Sequence, residues 1–287
     1  MTATRPRSPP PTPTRCLFLD CDDCLYQNEW KTEKRITASI NQYLPKLGVA
    51  PDRAFSLYQQ YGTTLKGLMA EGHLNAAGAE AFLVNAHSID YCDIQADPAL
   101  ADVLSKLRTP SWIFTAGTSE HAERCLAHLG LDGLRRYIEG IIDVRSCKFE
   151  SKHSETSFAA ALRAAREHDP SLKPEECCLC DDSVRNITRA KAMGWRTVLV
   201  GDTERATGLP RTCDAADFVI PSLHSLPSVM PQLFLEEVVE EEAEEAPATQ
   251  PSSKRMRTAV VEREKSPESV EDEIIVHGVE RRGSIEM

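Results

Sequence analysis

The chain has 287 residues, of which 41% are hydrophobic, and a formal net charge of −11. Residues 236–287 hold 15 acidic and 7 basic side chains, so they carry −8 of that charge and leave −3 for the rest of the chain. A nearly neutral body argues against bulk nucleic-acid binding through a basic face, and no apolar run approaches the ~18 residues that a membrane-spanning helix needs.

The two ends of the chain have compositions typical of disordered segments. Residues 1–14 are rich in proline and lack acidic side chains, and seven of the ten residues 236–245 are Glu. Such segments bury too little apolar surface to offset the entropy lost on ordering. We therefore predict disordered tails at 1–14 and 236–287, and the acidic tail is a candidate binding segment for a protein partner.

Cysteine content bears on the compartment. The chain has ten cysteines and no apolar segment typical of a signal peptide, which predicts free thiols in a reducing, cytoplasmic environment. The basic run KRMR at 254–257 adds a nuclear location as an alternative, although short basic runs are common.

Short apolar runs separated by helical patterns predict the fold class. The first run, CLFL, ends in charge, as expected of a buried parallel strand. Six such runs lie at residues 16–19, 111–115, 140–144, 177–180, 197–200 and 217–220. Strands that alternate with helices indicate an α/β fold with a doubly wound parallel sheet.

The long segment after the first strand has a different pattern. Apolar residues recur with helical spacing over about 29–44, at Ile36, Ile40, Tyr43 and Leu44, and the segment stays helical and polar to about residue 108. This is too long for a simple crossover between strands. We predict a helical cap at 27–108, inserted into a core formed by 15–26 and 109–235.

Polar side chains follow three of the predicted strands. Asp20 and Asp22 follow the first strand, Thr115 ends the second apolar run, and Asp181 and Asp182 follow the fourth. Ligands of open parallel sheets bind beyond the carboxyl ends of the strands. Because neighbouring carboxylates repel one another, the sequence predicts a positive charge among these residues.

Four segments carry a resemblance to a known family. FLDCDDCLY, FTAGT, SKHSETSF and CDDSVRNITRAKAMGW resemble, in order and spacing, the four motifs of haloacid dehalogenase superfamily phosphatases. The resemblance covers about residues 15–222 and implies a Rossmann-like core with a cap. DCDDCLY, followed by a helical insertion containing YGTTLKGL at 61–68, is most similar to the pyrimidine 5′-nucleotidase branch.

The resemblance implies a mechanism and a role for each motif residue. Asp20 becomes the nucleophile that forms an aspartyl-phosphate, and Asp22 becomes the general acid and base. The side chains of Thr115 and Lys152 hold the phosphoryl oxygens. Mg²⁺ is the implied cofactor, and a small phosphorylated molecule, UMP or CMP in this branch, is the implied substrate. The implied Mg²⁺ ligands are the carboxylates of Asp20, Asp181 and Asp182 and the backbone carbonyl of Asp22.

The sequence departs from the family pattern at several motif positions. Cys24 replaces the usual Thr, Ala116 replaces a frequent Asn, and His153 replaces the Pro that usually follows the motif lysine. Lys148 competes with Lys152 as that lysine, but Lys152 opens the predicted helix. Asn186 stands where an Asp is often found, which reduces the local negative charge and predicts weaker metal binding.

Other interpretations remain open at this point. The substrate could be another small phosphate such as pyridoxal phosphate, and the cap residues Tyr61, Lys66 and His73 are candidate substrate contacts. The chain could also be a degenerate binding or regulatory protein that acts through its acidic tail, although an intact set of motif residues argues against this. Zinc binding by the motif cysteines and by CCLC is disfavoured, because CCLC has the pattern of a buried strand.

Overall fold

Six β-strands and nine α-helices make up the described part of the chain, which comprises residues 12–131, 138–204 and 209–234 of a computed structural model. The strands are β1 (Cys16–Leu19), β2 (Ser111–Phe114), β3 (Ile138–Ile142), β4 (Cys177–Asp181), β5 (Arg196–Val200) and β6 (Phe218–Ile220). The helices are α1 (Lys31–Tyr43), α2 (Arg53–Tyr61), α3 (Thr64–Ala70), α4 (Ala76–Ala86), α5 (Pro98–Ser105), α6 (Ser119–His128), α7 (Glu155–His168), α8 (Val184–Ala192) and α9 (Leu226–Val229).

The strands form one sheet in the order β3-β2-β1-β4-β5-β6, and every neighbouring pair is parallel. The predicted α/β class with a doubly wound parallel sheet is therefore confirmed. The order reverses direction on either side of β1, and this is the point where such sheets form a crevice at the strand ends.

Side chains of successive strand residues alternate between two buried clusters. Leu17 and Leu19 belong to one cluster, together with Ile113, and Phe18 belongs to the other, together with Phe114. A sheet covered on both faces explains why the strands are continuously apolar rather than alternating. The CCLC run follows the same rule, since its three cysteines are free, fully buried and divided between the two clusters.

Helices α1–α5 lie between β1 and β2, and all but α5 contribute to a third buried cluster. Leu57, Leu68 and Phe82 are central members of this cluster, which also includes Val144 from beyond β3. The N-termini of α3 and α4 are capped by Thr63 and Asn75, whose side chains accept from the backbone N–H of the third residue of each helix. The exact domain boundaries proposed from the sequence stay predictions.

The third strand differs from its predicted position. It was expected at 140–144 but runs from Ile138 to Ile142, because Asp143 turns its side chain to the backbone N–H groups of Arg145 and Ser146. The acidic tail at 236–287 and residues 1–11 of the proline-rich tail lie outside the described residues. Among the described helices, none is long and apolar enough to span a bilayer.

Candidate active site

The strand register places a carboxylate of the first motif beside a carboxylate of the fourth motif. Leu19 of β1 pairs with Cys180 of β4, so Asp20 and Asp181 follow at the same level of adjacent strands. The backbone N–H of Asp20 donates to the Cys180 carbonyl at 2.9 Å, which fixes this level. The Asp20 side chain is 11% exposed and that of Asp181 is fully buried. Two carboxylates are thus held together at the carboxyl edge of the sheet.

Lys152 joins these two carboxylates. Its Nζ lies 2.6 Å from Asp20 Oδ1 and 2.6 Å from Asp181 Oδ2, and only 3% of its side chain is exposed. The alternative motif lysine, Lys148, is exposed and lies in a turn before α7. The structure therefore places Lys152, rather than Lys148, among the carboxylates.

Protonation in this cluster reflects a shortage of positive charge. Burial raises the pKa of Asp20 to about 7, because the attraction of Lys152 offsets only part of the desolvation cost and Asp181 adds repulsion. Burial likewise raises the pKa of Asp182 well above its ordinary value, and repulsion from Asp181 and Asp20 adds to this. The two neighbouring carboxylates raise the pKa of Lys152 against the opposing effect of burial, so this lysine stays charged.

The carboxylates fit a hard divalent cation. One oxygen from each of Asp20, Asp181 and Asp182 lies within 4.8 Å of the others. When the three carboxylates are ionised and Lys152 is charged, these four side chains carry a net charge of −2. Oxygen ligands and a surplus of two negative charges match Mg²⁺. Asn186 supports the arrangement, since its Nδ2 lies 3.0 and 3.1 Å from the two carboxylate oxygens of Asp181. The Asn substitution thus orients a candidate ligand instead of only removing charge.

Thr115 occupies the edge of the same crevice. It follows β2, is 2% exposed, and its Oγ1 accepts from the backbone N–H of Gly117 at 3.0 Å. Its own N–H donates to the Ile142 carbonyl, so the backbone is anchored on β3. Position and anchoring agree with the predicted phosphate-contacting role, which stays a prediction.

A tight turn after β1 sets the position of Asp22. The chain turns at 22–25, where Asp23 adopts a left-handed conformation with φ 55° and the N–H of Leu25 donates to the Cys21 carbonyl. Aspartate tolerates this backbone region better than most residues. This turn directs the Asp22 side chain towards α6.

The partner of Asp22 is a buried histidine that the sequence analysis missed. His121 Nε2 lies 2.8 and 3.0 Å from the two Asp22 oxygens, and the Tyr26 hydroxyl donates to Asp22 Oδ1. Burial opposes ionisation, but His121 and Tyr26 overcome it and lower the pKa of Asp22 to about 2. Asp22 in turn raises the pKa of His121 well above its usual value, against the effect of burial. The pair therefore holds its proton on the histidine.

Of the motif departures, Cys24 and His153 also have defined surroundings. Cys24 is 2% exposed and its thiol donates to the Cys180 carbonyl at 3.5 Å, a contact that the usual threonine hydroxyl could also make. His153 lies against Gly62, the residue that ends α2. The insertion and the loop that carries Lys152 thus meet at this point, where Lys66 also pairs with Glu150.

With this geometry in place, comparison with known proteins identifies the family. The sequence profile of haloacid dehalogenase-like hydrolases matches residues 14–194, which is well over half of the chain. The chain belongs to the haloacid dehalogenase-like hydrolase family.

Individual relatives of this haloacid dehalogenase-like hydrolase are distant. It is 27% identical over 215 residues to Phosphate metabolism protein 8 of Saccharomyces cerevisiae, a match that covers 68% of this chain and 64% of the yeast protein. The chain thus matches less than two thirds of the length of that relative. What the comparisons establish for this chain is therefore membership of a hydrolase family.

Solved structures show the same fold. CbbY from Rhodobacter sphaeroides in complex with phosphate superimposes with a TM-score of 0.53 and 17% identity, over 74% of this chain and 96% of CbbY. A CbbY mutant in complex with xylulose-1,5-bisphosphate gives a TM-score of 0.55 and 15% identity, over 77% of this chain and 100% of the other. At these identities the likeness establishes the fold of this haloacid dehalogenase-like hydrolase and nothing about its substrate.

Proposed function

We propose that this chain is a Mg²⁺-dependent phosphatase that hydrolyses phosphate monoesters through an aspartyl-phosphate on Asp20. The observation that carries the proposal is the position of Lys152, which lies 2.6 Å from both Asp20 and Asp181 at the carboxyl edge of the sheet. A nucleophile and a cation side by side provide both an attacking oxygen and a partner for the transferred phosphoryl group.

The metal would be held by the carboxylates of Asp20, Asp181 and Asp182. When bound, Mg²⁺ supplies positive charge that lets Asp20 ionise beside its neighbours and that offsets the charge of the substrate phosphate. Because the Asp20 carboxylate is buried, few water molecules solvate it, and this favours its attack on the phosphorus atom over direct attack on phosphorus by a water molecule.

Proton transfer falls to Asp22 and its neighbour. In the first step an oxygen of Asp20 bonds to phosphorus, the ester bond breaks, and the leaving alkoxide takes a proton from Asp22. Before this step the proton shared with His121 has to move to Asp22, and the 2.8 Å contact between the two side chains provides the path. In the second step Asp22 takes a proton from water, which attacks phosphorus and releases phosphate and free Asp20.

We infer a pyrimidine nucleoside 5′-monophosphate such as UMP or CMP as the substrate. Support comes from the resemblance of DCDDCLY and YGTTLKGL to the pyrimidine 5′-nucleotidase branch. The name of the yeast relative, Phosphate metabolism protein 8, agrees with a phosphatase and does not identify a substrate. Pyridoxal phosphate remains the alternative within the same mechanism.

The test is phosphate release from UMP, CMP, AMP, GMP, pyridoxal phosphate and an aryl phosphate, each with Mg²⁺ or with a chelator. Asp20→Asn removes the nucleophile, and Asp23→Asn is the matched control in the same loop. We expect turnover of UMP and CMP that requires Mg²⁺, disappears in Asp20→Asn and persists in Asp23→Asn. Metal-dependent turnover of another substrate alone would reject the pyrimidine assignment. Folded protein that hydrolyses none of them would reject the phosphatase and favour a binding protein.

A further inference from the structure

A second group of side chains with metal-binding atoms lies beside the candidate active site. Cys21, Asp22, His121 and Cys125 each offer one ligand atom, and these four atoms lie within 4.8 Å of one another. The Sγ of Cys125 is 3.6 Å from His121 Nε2, which is 2.8 Å from Asp22 Oδ1. Four donors from two separate segments thus converge; the phosphatase mechanism uses Asp22 and His121 and leaves both thiols unused.

The fold explains why the four side chains meet. Cys21 and Asp22 belong to the turn that follows β1, and their side chains reach α6, which follows the neighbouring strand β2. His121 and Cys125 are four residues apart on α6, so they project from the same face of the helix. Thr118 caps this helix, and its side chain accepts from the His121 N–H at 3.2 Å. This hydrogen bond fixes the first turn of α6, from which the His121 side chain reaches Asp22.

The donor types differ from those of the carboxylate cluster. Two thiols, an imidazole and one carboxylate suit Zn²⁺ and similar thiophilic ions, which prefer four sulfur and nitrogen donors in a tetrahedron. Mg²⁺ prefers oxygen donors and competes poorly for such ligands. Cys21, His121 and Cys125 are fully buried, whereas the Asp22 side chain is 30% exposed and provides the route of entry from the crevice.

Hydrogen bonds already select the correct nitrogen of His121. The hydroxyl of Tyr91 donates its single proton to the His87 carbonyl at 3.1 Å, so its oxygen accepts from His121 Nδ1 at 2.9 Å. Nδ1 therefore carries a proton of its own, in addition to the proton that Nε2 shares with Asp22, and Nε2 faces the cluster. Metal-binding histidines commonly donate their other ring N–H to a fixed acceptor in this way.

We propose that Cys21, Asp22, His121 and Cys125 form a second metal site for a thiophilic divalent ion such as Zn²⁺, and that occupation of this site inhibits hydrolysis. Binding replaces the protons of the two thiols and of His121 Nε2, which pass to solvent, and forms bonds to two sulfurs, one nitrogen and one carboxylate oxygen. The inhibitory part rests on the proposed function, because it acts by removing Asp22 from proton transfer. The binding part stands independently of it.

The binding test uses Co²⁺ as a spectroscopic substitute for Zn²⁺, added to the full chain in the presence of Mg²⁺. Tetrahedral Co²⁺ bound to thiolates gives an intense near-ultraviolet charge-transfer band, whereas Co²⁺ bound only to oxygen does not. We expect this band at one equivalent of Co²⁺ and its loss on addition of Zn²⁺. Cys125→Ser and Cys21→Ser are expected to weaken Co²⁺ binding at least about tenfold, whereas Cys24→Ser, a buried thiol outside the cluster, leaves the band in place.

Two controls keep the binding result specific. Among the cysteines in the described residues, Cys92 is the one that is exposed. Every protein tested carries Cys92→Ser, so that Co²⁺ bound to this surface thiol does not contribute to the band. Thermal melting of each variant identifies one that fails to fold, and the other cysteine variant then carries the test. A band that survives both Cys21→Ser and Cys125→Ser, or the absence of any thiolate band in folded protein, overturns the site.

The second readout is the activity of each variant with Zn²⁺ divided by its own activity without it. We expect Zn²⁺ to inhibit the parent protein in excess Mg²⁺, and Cys125→Ser to need at least about tenfold more Zn²⁺ for the same fractional inhibition. Equal inhibition of both proteins overturns the inhibitory part. A thiolate band in a protein that hydrolyses no phosphate ester supports the metal site and rejects the proposed function instead.

Discussion

Lys152 Nζ donates to Asp20 Oδ1 at 2.6 Å, although 132 residues separate the two side chains along the chain. Lys152 lies in the loop between β3 and α7, whereas Asp20 directly follows β1 in the middle of the sheet. Since both side chains are almost fully buried, each depends on the other for charge compensation. This contact links the catalytic proposal to the stability of the fold.

Replacing Lys152 by methionine is expected to destabilise the metal-free protein. The change leaves Asp20 and Asp181 buried without their cation, which typically costs about 3–5 kcal/mol in the free energy of unfolding. Mg²⁺ should recover more of the loss in Lys152→Met than it adds to the parent, because it becomes the remaining source of positive charge. Urea unfolding with and without Mg²⁺ measures both effects. Lys148→Met is the matched control, and equal unfolding midpoints for the two variants would contradict the prediction.

Replacing Asp22 by asparagine is expected to separate the two chemical steps. Loss of the acid and base should lower kcat for a nucleotide substrate by about 10²–10⁴. An aryl phosphate has a better leaving group and needs less protonation, so its first step should survive while hydrolysis of the aspartyl-phosphate stalls. Rapid-mixing measurements should then show a burst of about one phenol per enzyme. Asp20→Asn should give no burst, and a burst in that variant would show that Asp20 is not the nucleophile.

Alanine at Gly62 is expected to disturb the contact between the insertion and the Lys152 loop. Gly62 has φ +88°, and a Cβ there would overlap the His153 ring and lie 2.9 Å from the Ser151 Cβ. Gly48 has a similar φ of +72° with nothing within 4 Å, so Gly48→Ala measures backbone strain alone, about 1 kcal/mol. Gly62→Ala should cost clearly more in urea unfolding and should raise KM.

A second substitution tests the cause of that loss. Adding His153→Ala to Gly62→Ala removes the ring that overlaps the new methyl group, so we expect partial recovery of stability. The Ser151 Cβ, 2.9 Å from the new methyl group, keeps the double variant less stable than Gly48→Ala. If the double variant is no more stable than Gly62→Ala, the clash with His153 is not the cause.

His87 is expected to destabilise the fold in mild acid. Burial, with repulsion from His121, lowers the pKa of His87 from 6.5 to about 4. Between these values the unfolded chain binds a proton that the folded protein excludes, so the free energy of unfolding falls as the pH is lowered from 6.5 towards 4. Relative to His87→Asn, the parent should lose about 2 kcal/mol between about pH 7.5 and about pH 5.

Urea midpoints of both proteins at the two pH values give this double difference, in which the titration of other groups largely cancels. Asparagine retains a donor near the position of Nδ1, which lies 2.9 Å from the Leu83 carbonyl. Parallel losses in the two proteins would mean that His87 does not titrate as described.

The sequence predicted the sheet well because its strands are buried on both faces and therefore read as continuous apolar runs. The sequence-based prediction placed the third strand two residues too late. Gly140 and Asp143 are not apolar, so the apolar pattern does not show where the strand begins and ends. Gly140 is required by contact with Trp112, whose ring lies 2.7 Å from the position of a Cβ. Such a contact between strands cannot be deduced from either segment alone.

The candidate site was predictable where it follows strand ends and not where it depends on packing. Asp20, Asp181 and Lys152 lie together because register and motif order bring them to one edge of the sheet. His121 was missed because its role depends on a contact with Asp22 across 99 residues. The only available signal was its spacing of four residues from Cys125, which places both side chains on one face of a helix.

Val144 belongs to the buried cluster of the inserted helices, and Phe149 packs against the same cluster, although both come from the segment after β3. The insertion is therefore not a self-contained module. In a chimera that exchanges residues 27–108 for the insertion of another family member, these two side chains would face a surface that does not complement them. Recombination, in the laboratory or in evolution, would have to transfer the 143–150 segment together with the insertion.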